Sequence, residues 1–197
     1  MGMTPGKEHE YKASLEEDVF YPDHAPRTES ATFRHTKAHG KAAGDVCAIS
    51  GHTDGLEYHH VFCEAAFTNA VDWQLVKDIA LGKVTTVPLL DLETDEPLLD
   101  AAGKPRTYPI ERSAIGLIVG LTKMRGFDWE AFDPAHPETF VDSPANMLTL
   151  NAKFHRAKSH GIHELSLPLW IFQAFPRVPG FVFSRDELEA RHKEVGQ

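Results

Sequence analysis

Two adjacent histidines close the run Leu56-Glu57-Tyr58-His59-His60-Val61-Phe62, and far along the chain come Asn146, His155, His160 and His163. Paired His, then Asn, then His is the residue set that a single-metal phosphodiesterase needs. Imidazoles can hold a divalent ion, and a neutral imidazole near its ordinary pKa of about 6.5 can take a proton from water. Side chains of neighbouring residues in a strand point to opposite faces, so one histidine of the pair can hold a metal while the other faces substrate.

Those side chains need a frame. Residues 46–49 and 56–62 read as two β segments around the turn Ser50-Gly51-His52-Thr53-Asp54-Gly55, a hairpin pattern. Residues 146–150 read as a short strand or extended turn, and residues 152–160 as a helix stopped by Gly161. Between the blocks, apolar spacing over residues 65–81 predicts one or two amphipathic helices ending at Gly82. Residues 84–92 read as a strand that Pro88 makes an edge strand or an irregular segment, 98–108 as loop, 110–123 as a buried helix and 127–143 as connection. Residues 168–183, with Trp170, Ile171, Phe172, Phe175, Phe181 and Phe183, are expected to wrap the core, and Ser184 with Glu187 forms a capping box for a last helix.

Residues 1–44 are rich in Pro, Gly, His and charge and read as an N-terminal arm or linker, partly disordered, in which Leu15, Val19, Phe20 and Tyr21 could dock and 37–44 is linker. The compact domain is expected to span 45–197, with an insertion at about 64–142. No leader-like or membrane-spanning run stands out, so the expectation is a soluble, cytoplasmic protein with no membrane partner. The net charge of −9 argues against general duplex binding, although Lys153, His155, Arg156, Lys158, His160 and His163 make one segment basic while residues 91–100 are acidic.

The blocks Cys47-Ala48-Ile49-Ser50-Gly51 through Leu56-Glu57-Tyr58-His59-His60-Val61, and Asn146-Met147-Leu148-Thr149-Leu150 with His155 nine residues after Asn146, resemble the HNH endonuclease family. The resemblance implies an α+β fold with a ββα-metal core, a β-hairpin plus helix, here carrying a long, partly helical insertion. It implies one divalent ion (Mg, Mn, Ni or Zn), DNA as substrate, His59 as first metal ligand, His60 as general base and Asn146 orienting it or serving as a ligand. Products would be 5′-phosphate and 3′-hydroxyl ends.

His155 is expected to point back at the hairpin as the second ligand. One helical turn on stands Ser159, so the third is left between His160, about 140° around an ideal helix from His155, and His163, which follows Gly161 and is free of helical phase. His163 is slightly preferred, and completion by water or Asn146 stays open. Lys153, Arg156 and Lys158 are candidate DNA-backbone contacts. Cys47, His52 and Cys63 lack paired C-x-x-C spacing and read better as ordinary core or loop residues than as a zinc site. His9, His24, His35 and His39 read as solvated. Two other readings remain: a non-catalytic, metal-stapled interaction protein, for instance of a phage or mobile element, and a nuclease active only with a protein partner that supplies DNA affinity.

Overall fold

The computed structural model describes residues 28–94, 96–175, 177, 181 and 184–195. The expectations for Leu15, Val19, Phe20, Tyr21, His9, His24 and Phe183 lie outside them. The described chain is mixed α+β, and its contacts gather into two units. One contains Gly40–His59 with the chain from Leu148 onward, and the other the segment ending at His39 with His60–Met147.

The first element among the described residues is helix α1 (Ala31–Ala43), where a linker was expected over 37–44. Ser30 starts it, its hydroxyl accepting from the Phe33 N–H at 2.9 Å. Threonine, histidine and lysine are unremarkable helix residues, so cap and docking decide here what composition does not.

Strand β1 (Leu56–His60) does not form a hairpin with residues 46–49. That segment is irregular, tied by the Cys47 N–H to His52 O at 2.8 Å and the Ala48 N–H to Thr149 O at 2.9 Å. β1 is instead hydrogen-bonded to β4 (Met147–Asn151). The bonds Ala152 N–H to Gly55 O (3.1 Å) and Val61 N–H to Asn146 O (2.8 Å) run in opposite order along the two strands, so the pair is antiparallel. Helix α5 (Ala152–Arg156) follows β4 directly, the Asn151 side chain capping it by accepting from the Lys153 N–H at 2.9 Å. Under this frame Cys47, Leu150 and Trp170 are buried together, with Ile49, Leu56, Leu148, Phe154, Ile162 and Leu165 packed against them.

In the other unit, a 3-10 turn (Ala65–Ala70) leads into α2 (Trp73–Ala80), capped by Asp72 and ended near Gly82 at φ +71°. β2 (Thr86–Pro88) pairs with β3 (Thr107–Pro109), which places strand where residues 98–108 read as loop. Helix α3 (Ala114–Met124) buries Val119 and Thr122, but Leu117 and Met124 are exposed, so it is not the fully buried helix its composition predicts. The supposed connection of 127–143 supplies core: Trp129, Phe132, Phe140 and Val141, the last two on α4 (Glu138–Val141), pack with Trp73, Ile79, Ala80 and Val119. Large aromatics in a Pro-rich stretch need no periodicity to be buried, since each covers a large apolar area by itself.

The chain closes with α6 (Leu167–Phe172) and α7 (Arg185–Val195). Trp170 is buried, whereas Leu167, Leu169, Ile171 and Phe175 are exposed, so only part of the aromatic stretch covers core. Ser184 Oγ accepts from the Glu187 N–H at 3.3 Å, the first half of the expected capping box. No helix among the described residues is long and apolar enough to cross a membrane.

Candidate metal centre

β1 and α5 bring two histidines together, and a chain reversal brings a third. Helix α5 ends at Arg156, well short of the expected residue 160, and Ala157 is already extended. The chain then folds back on the helix end: the Gly161 N–H donates to Ala157 O at 2.6 Å and the Ile162 N–H to Phe154 O at 3.0 Å. A Cβ on Gly161 would lie 2.8 Å from the Arg156 carbonyl carbon and 2.9 Å from the Ala157 nitrogen, so only glycine allows this approach. Two residues on, His163 lies beside His155.

His59, His155 and His163 each offer a ring nitrogen, and these three atoms lie within 4.8 Å of one another. Nε2 of His163 is 3.1 Å from Nε2 of His155. Two imidazole nitrogens bound to one ion at the usual metal–nitrogen distance stand roughly 3 to 3.4 Å apart. The ring centres of His59 are 5.3 Å from those of His155 and 4.8 Å from those of His163. His59 and His155 are half-buried and His163 is exposed, so the cluster opens to solvent on one side. The three histidines are close enough to bind a metal ion.

Glu57, two residues before His59, completes the arrangement. The His155 Nδ1–H donates to Glu57 Oε2 at 2.6 Å, which fixes the tautomer and leaves a lone pair on Nε2, the atom facing His163. Arg156 holds the same carboxylate, its Nε–H donating to Oε2 at 2.9 Å and its guanidinium NH2 bonding Oε1. Partial burial acts to raise the Glu57 pKa, but the bonds from His155 and Arg156 outweigh it and hold the carboxyl below its ordinary value. Glu57 was missed as a site residue from sequence. Its position two residues from His59, hence on the same face of a strand, was the available signal.

The other expected site residues have other surroundings. His160 does not join the cluster: it is 1% exposed, its Nε2 3.3 Å from Ser184 Oγ and its backbone carbonyl accepting from Gln173 Nε2 at 3.0 Å. The helix ends before it, so helical phase does not govern its direction. His60 is 7% exposed, with Nε2 3.0 Å from Asp142 Oδ1 and Nδ1 3.3 Å from Glu64 Oε2. Asn146 is fully buried; its Oδ1 accepts from the N–H groups of Phe62 and Cys63 at 3.0 and 3.1 Å, and its Nδ2 donates to Cys63 O and Val141 O at 2.8 and 2.7 Å. All its hydrogen-bonding capacity toward protein goes to backbone, the pattern of a residue that pins the chain just after His60. Lys153, Arg156 and Lys158 are exposed, Arg156 being engaged by Glu57. Cys47 is buried in the core of the first unit, and Cys63, in the second unit, packs against the core there.

Compared with family models, curated proteins and solved structures, the chain matches none of them.

Proposed function

We propose that this chain is a divalent-metal-dependent endonuclease of the HNH type that hydrolyses DNA phosphodiester bonds. The observation that carries the reading is the convergence of His59 on β1, His155 on α5 and His163 in the turn after it, with the His155 tautomer set by Glu57. In this reading those three histidines hold the ion, and His60, next in the chain, takes a proton from the attacking water. Asn146 keeps the backbone after His60 in place through its four bonds.

Held by these three histidines, a divalent ion would supply stabilisation of the negative charge that builds on the phosphate and the leaving group. An all-imidazole set favours Zn²⁺ or Ni²⁺ over Mg²⁺, which prefers oxygen ligands and water. Exposed Lys153 and Lys158 are the cations beside the cluster in sequence that would meet the DNA backbone.

The test is plasmid nicking by the purified protein with Mg²⁺, Mn²⁺, Ni²⁺ or Zn²⁺ at low salt, beside the His60→Ala variant. Metal-dependent cleavage that the variant loses supports the reading. Full activity in the variant refutes the role of His60.

A second reading is favoured by the net charge of −9 and by the engagement of Arg156 with Glu57. In it the metal centre staples a scaffold, or cuts DNA only when a basic partner supplies affinity. It predicts a metal-raised melting temperature without cleavage by the isolated chain.

A further inference from the structure

His60 sits in a buried polar network that the metal cluster does not explain. Asp142, at the end of α4, is 5% exposed, and every oxygen it carries has a partner. Its Oδ1 is 3.0 Å from His60 Nε2, its Oδ2 accepts from Ser30 Oγ at 2.6 Å, and its carbonyl accepts from Thr36 Oγ1 at 2.8 Å. Ser30 has little freedom to turn, because its hydroxyl oxygen already accepts from the Phe33 N–H at 2.9 Å. The Phe33 ring lies against the His60 ring, centres 6.2 Å apart and planes 24° from parallel. Helix α1 thus clamps both the carboxylate and the imidazole.

An ionised carboxylate only accepts hydrogen bonds. Carboxylate oxygens stand at both ring nitrogens, Asp142 Oδ1 3.0 Å from Nε2 and Glu64 Oε2 3.3 Å from Nδ1. Asp142 is the closer and, its side chain 7% exposed against 46%, the more buried, which favours it as acceptor for the single proton of a neutral ring. Nδ1 is then the basic atom. It faces Glu64, whose side chain is 46% exposed, so water reaches Nδ1 only where that carboxylate gives way.

We propose that Asp142 is the positioning residue of His60: it holds the Nε2 proton and so assigns proton abstraction to Nδ1. This rests on the nuclease reading above. In the step, a water O–H bond breaks and its proton passes to Nδ1 while the water oxygen bonds to phosphorus. The bond from phosphorus to the 3′ oxygen breaks, that oxygen leaves with the electron pair, and solvent gives it a proton. The imidazolium, held against Asp142, later returns its proton to solvent.

The experiment is two-bond ¹H–¹⁵N correlation on histidine-labelled full-length protein, without DNA, at a pH where the ring is neutral. Wild-type His60 is expected to show hydrogen on Nε2 and none on Nδ1. Asp142→Asn has the same shape, but the Ser30 hydroxyl keeps its amide oxygen and turns its N–H toward Nε2. The His60 proton should then move to Nδ1, and kcat for nicking should fall by about 10²- to 10⁴-fold with KM and the metal-raised melting temperature unchanged. An Nδ1–H ring in the wild type, hydrogen on both nitrogens there, or an unmoved tautomer in Asp142→Asn overturns the role of Asp142 even in an active nuclease. Absence of cleavage by the wild type with every metal overturns the underlying reading, and the tautomer measurement tells the two failures apart.

Discussion

Glu57 and His155 are joined side chain to side chain, Oε2 to Nδ1 at 2.6 Å, and that bond decides which nitrogen of His155 is left for a metal. A carboxylate behind a ligating imidazole fixes its tautomer and ring direction and raises its basicity. Conversion of Glu57 to Gln is expected to weaken transition-metal binding by about 10- to 100-fold. Calorimetric titration with Zn²⁺ or Ni²⁺ checks this, and unchanged affinity would remove Glu57 from the site.

His160 and His163 are separable by one pair of variants. His163→Ala should abolish the metal-induced rise in melting temperature and leave the metal-free protein nearly as stable as wild type, since His163 is exposed. His160→Ala should do the reverse, lowering the metal-free melting temperature and keeping the metal response, because it removes a fully enclosed ring. For the wild type, metal at about a hundred times its dissociation constant should add roughly 2.7 kcal/mol to stability. Equal metal responses in both variants would contradict the cluster.

All four side-chain hydrogen bonds of Asn146 go to backbone groups. Asn146→Ala leaves the N–H groups of Phe62 and Cys63 and the carbonyls of Cys63 and Val141 without their side-chain partner, at roughly 1–3 kcal/mol for each group left unsatisfied. A loss of about 3 kcal/mol or more is expected in urea unfolding. Asn146→Asp should be no better, because its carboxylate would face two carbonyl oxygens. A loss below about 1 kcal/mol for either variant would show that the bonds to the chain after His60 matter little.

Burial, and then the charge of Glu64, push the Cys63 thiol up to about 11. Tyr58 is raised too, by burial and by its hydrogen bond to Asp45. A group whose folded pKa is raised keeps its proton when the unfolded chain has lost it, so stability is full below the unfolded thiol value and falls as pH rises toward 11. Melting temperatures from pH 8 to 11 should decline, and Cys63→Ala should flatten that decline. Cys63 of the native protein should also react slowly with alkylating reagents at pH 8 and rapidly once unfolded. Fast alkylation of the folded protein would refute the shift.

Some elements were readable because local chemistry decides them. The strand followed by a helix at residues 147–156 was readable as a short apolar run and a following helix, which the Asn151 side chain caps, and Gly82 and Ser184 mark helix ends as such residues do. Elsewhere local signals misled. Residues 46–49 have good strand character, yet β1 takes β4 as its partner, because pairing is a long-range choice set by which apolar faces are buried together. Residues 127–143 look like connection because their prolines break periodicity, while three of their large aromatics fill the core.

By itself, the sequence determined the chemical inventory: two adjacent histidines in an extended run, an Asn followed by a His nine residues on, and the types of group a metal or a proton transfer would use. Tertiary structure decided which of them meet. Only the reversal at Gly161, where the chain closes on the backbone of Arg156 and Ala157, puts His163 beside His155 and leaves His160 in the interior. Likewise only folding sets Glu57 behind His155 and Asp142 behind His60, residues distant in sequence whose contacts carry no local pattern. Coordination and tautomer depend on distances of about 3 Å between side chains, and such distances are properties of packing.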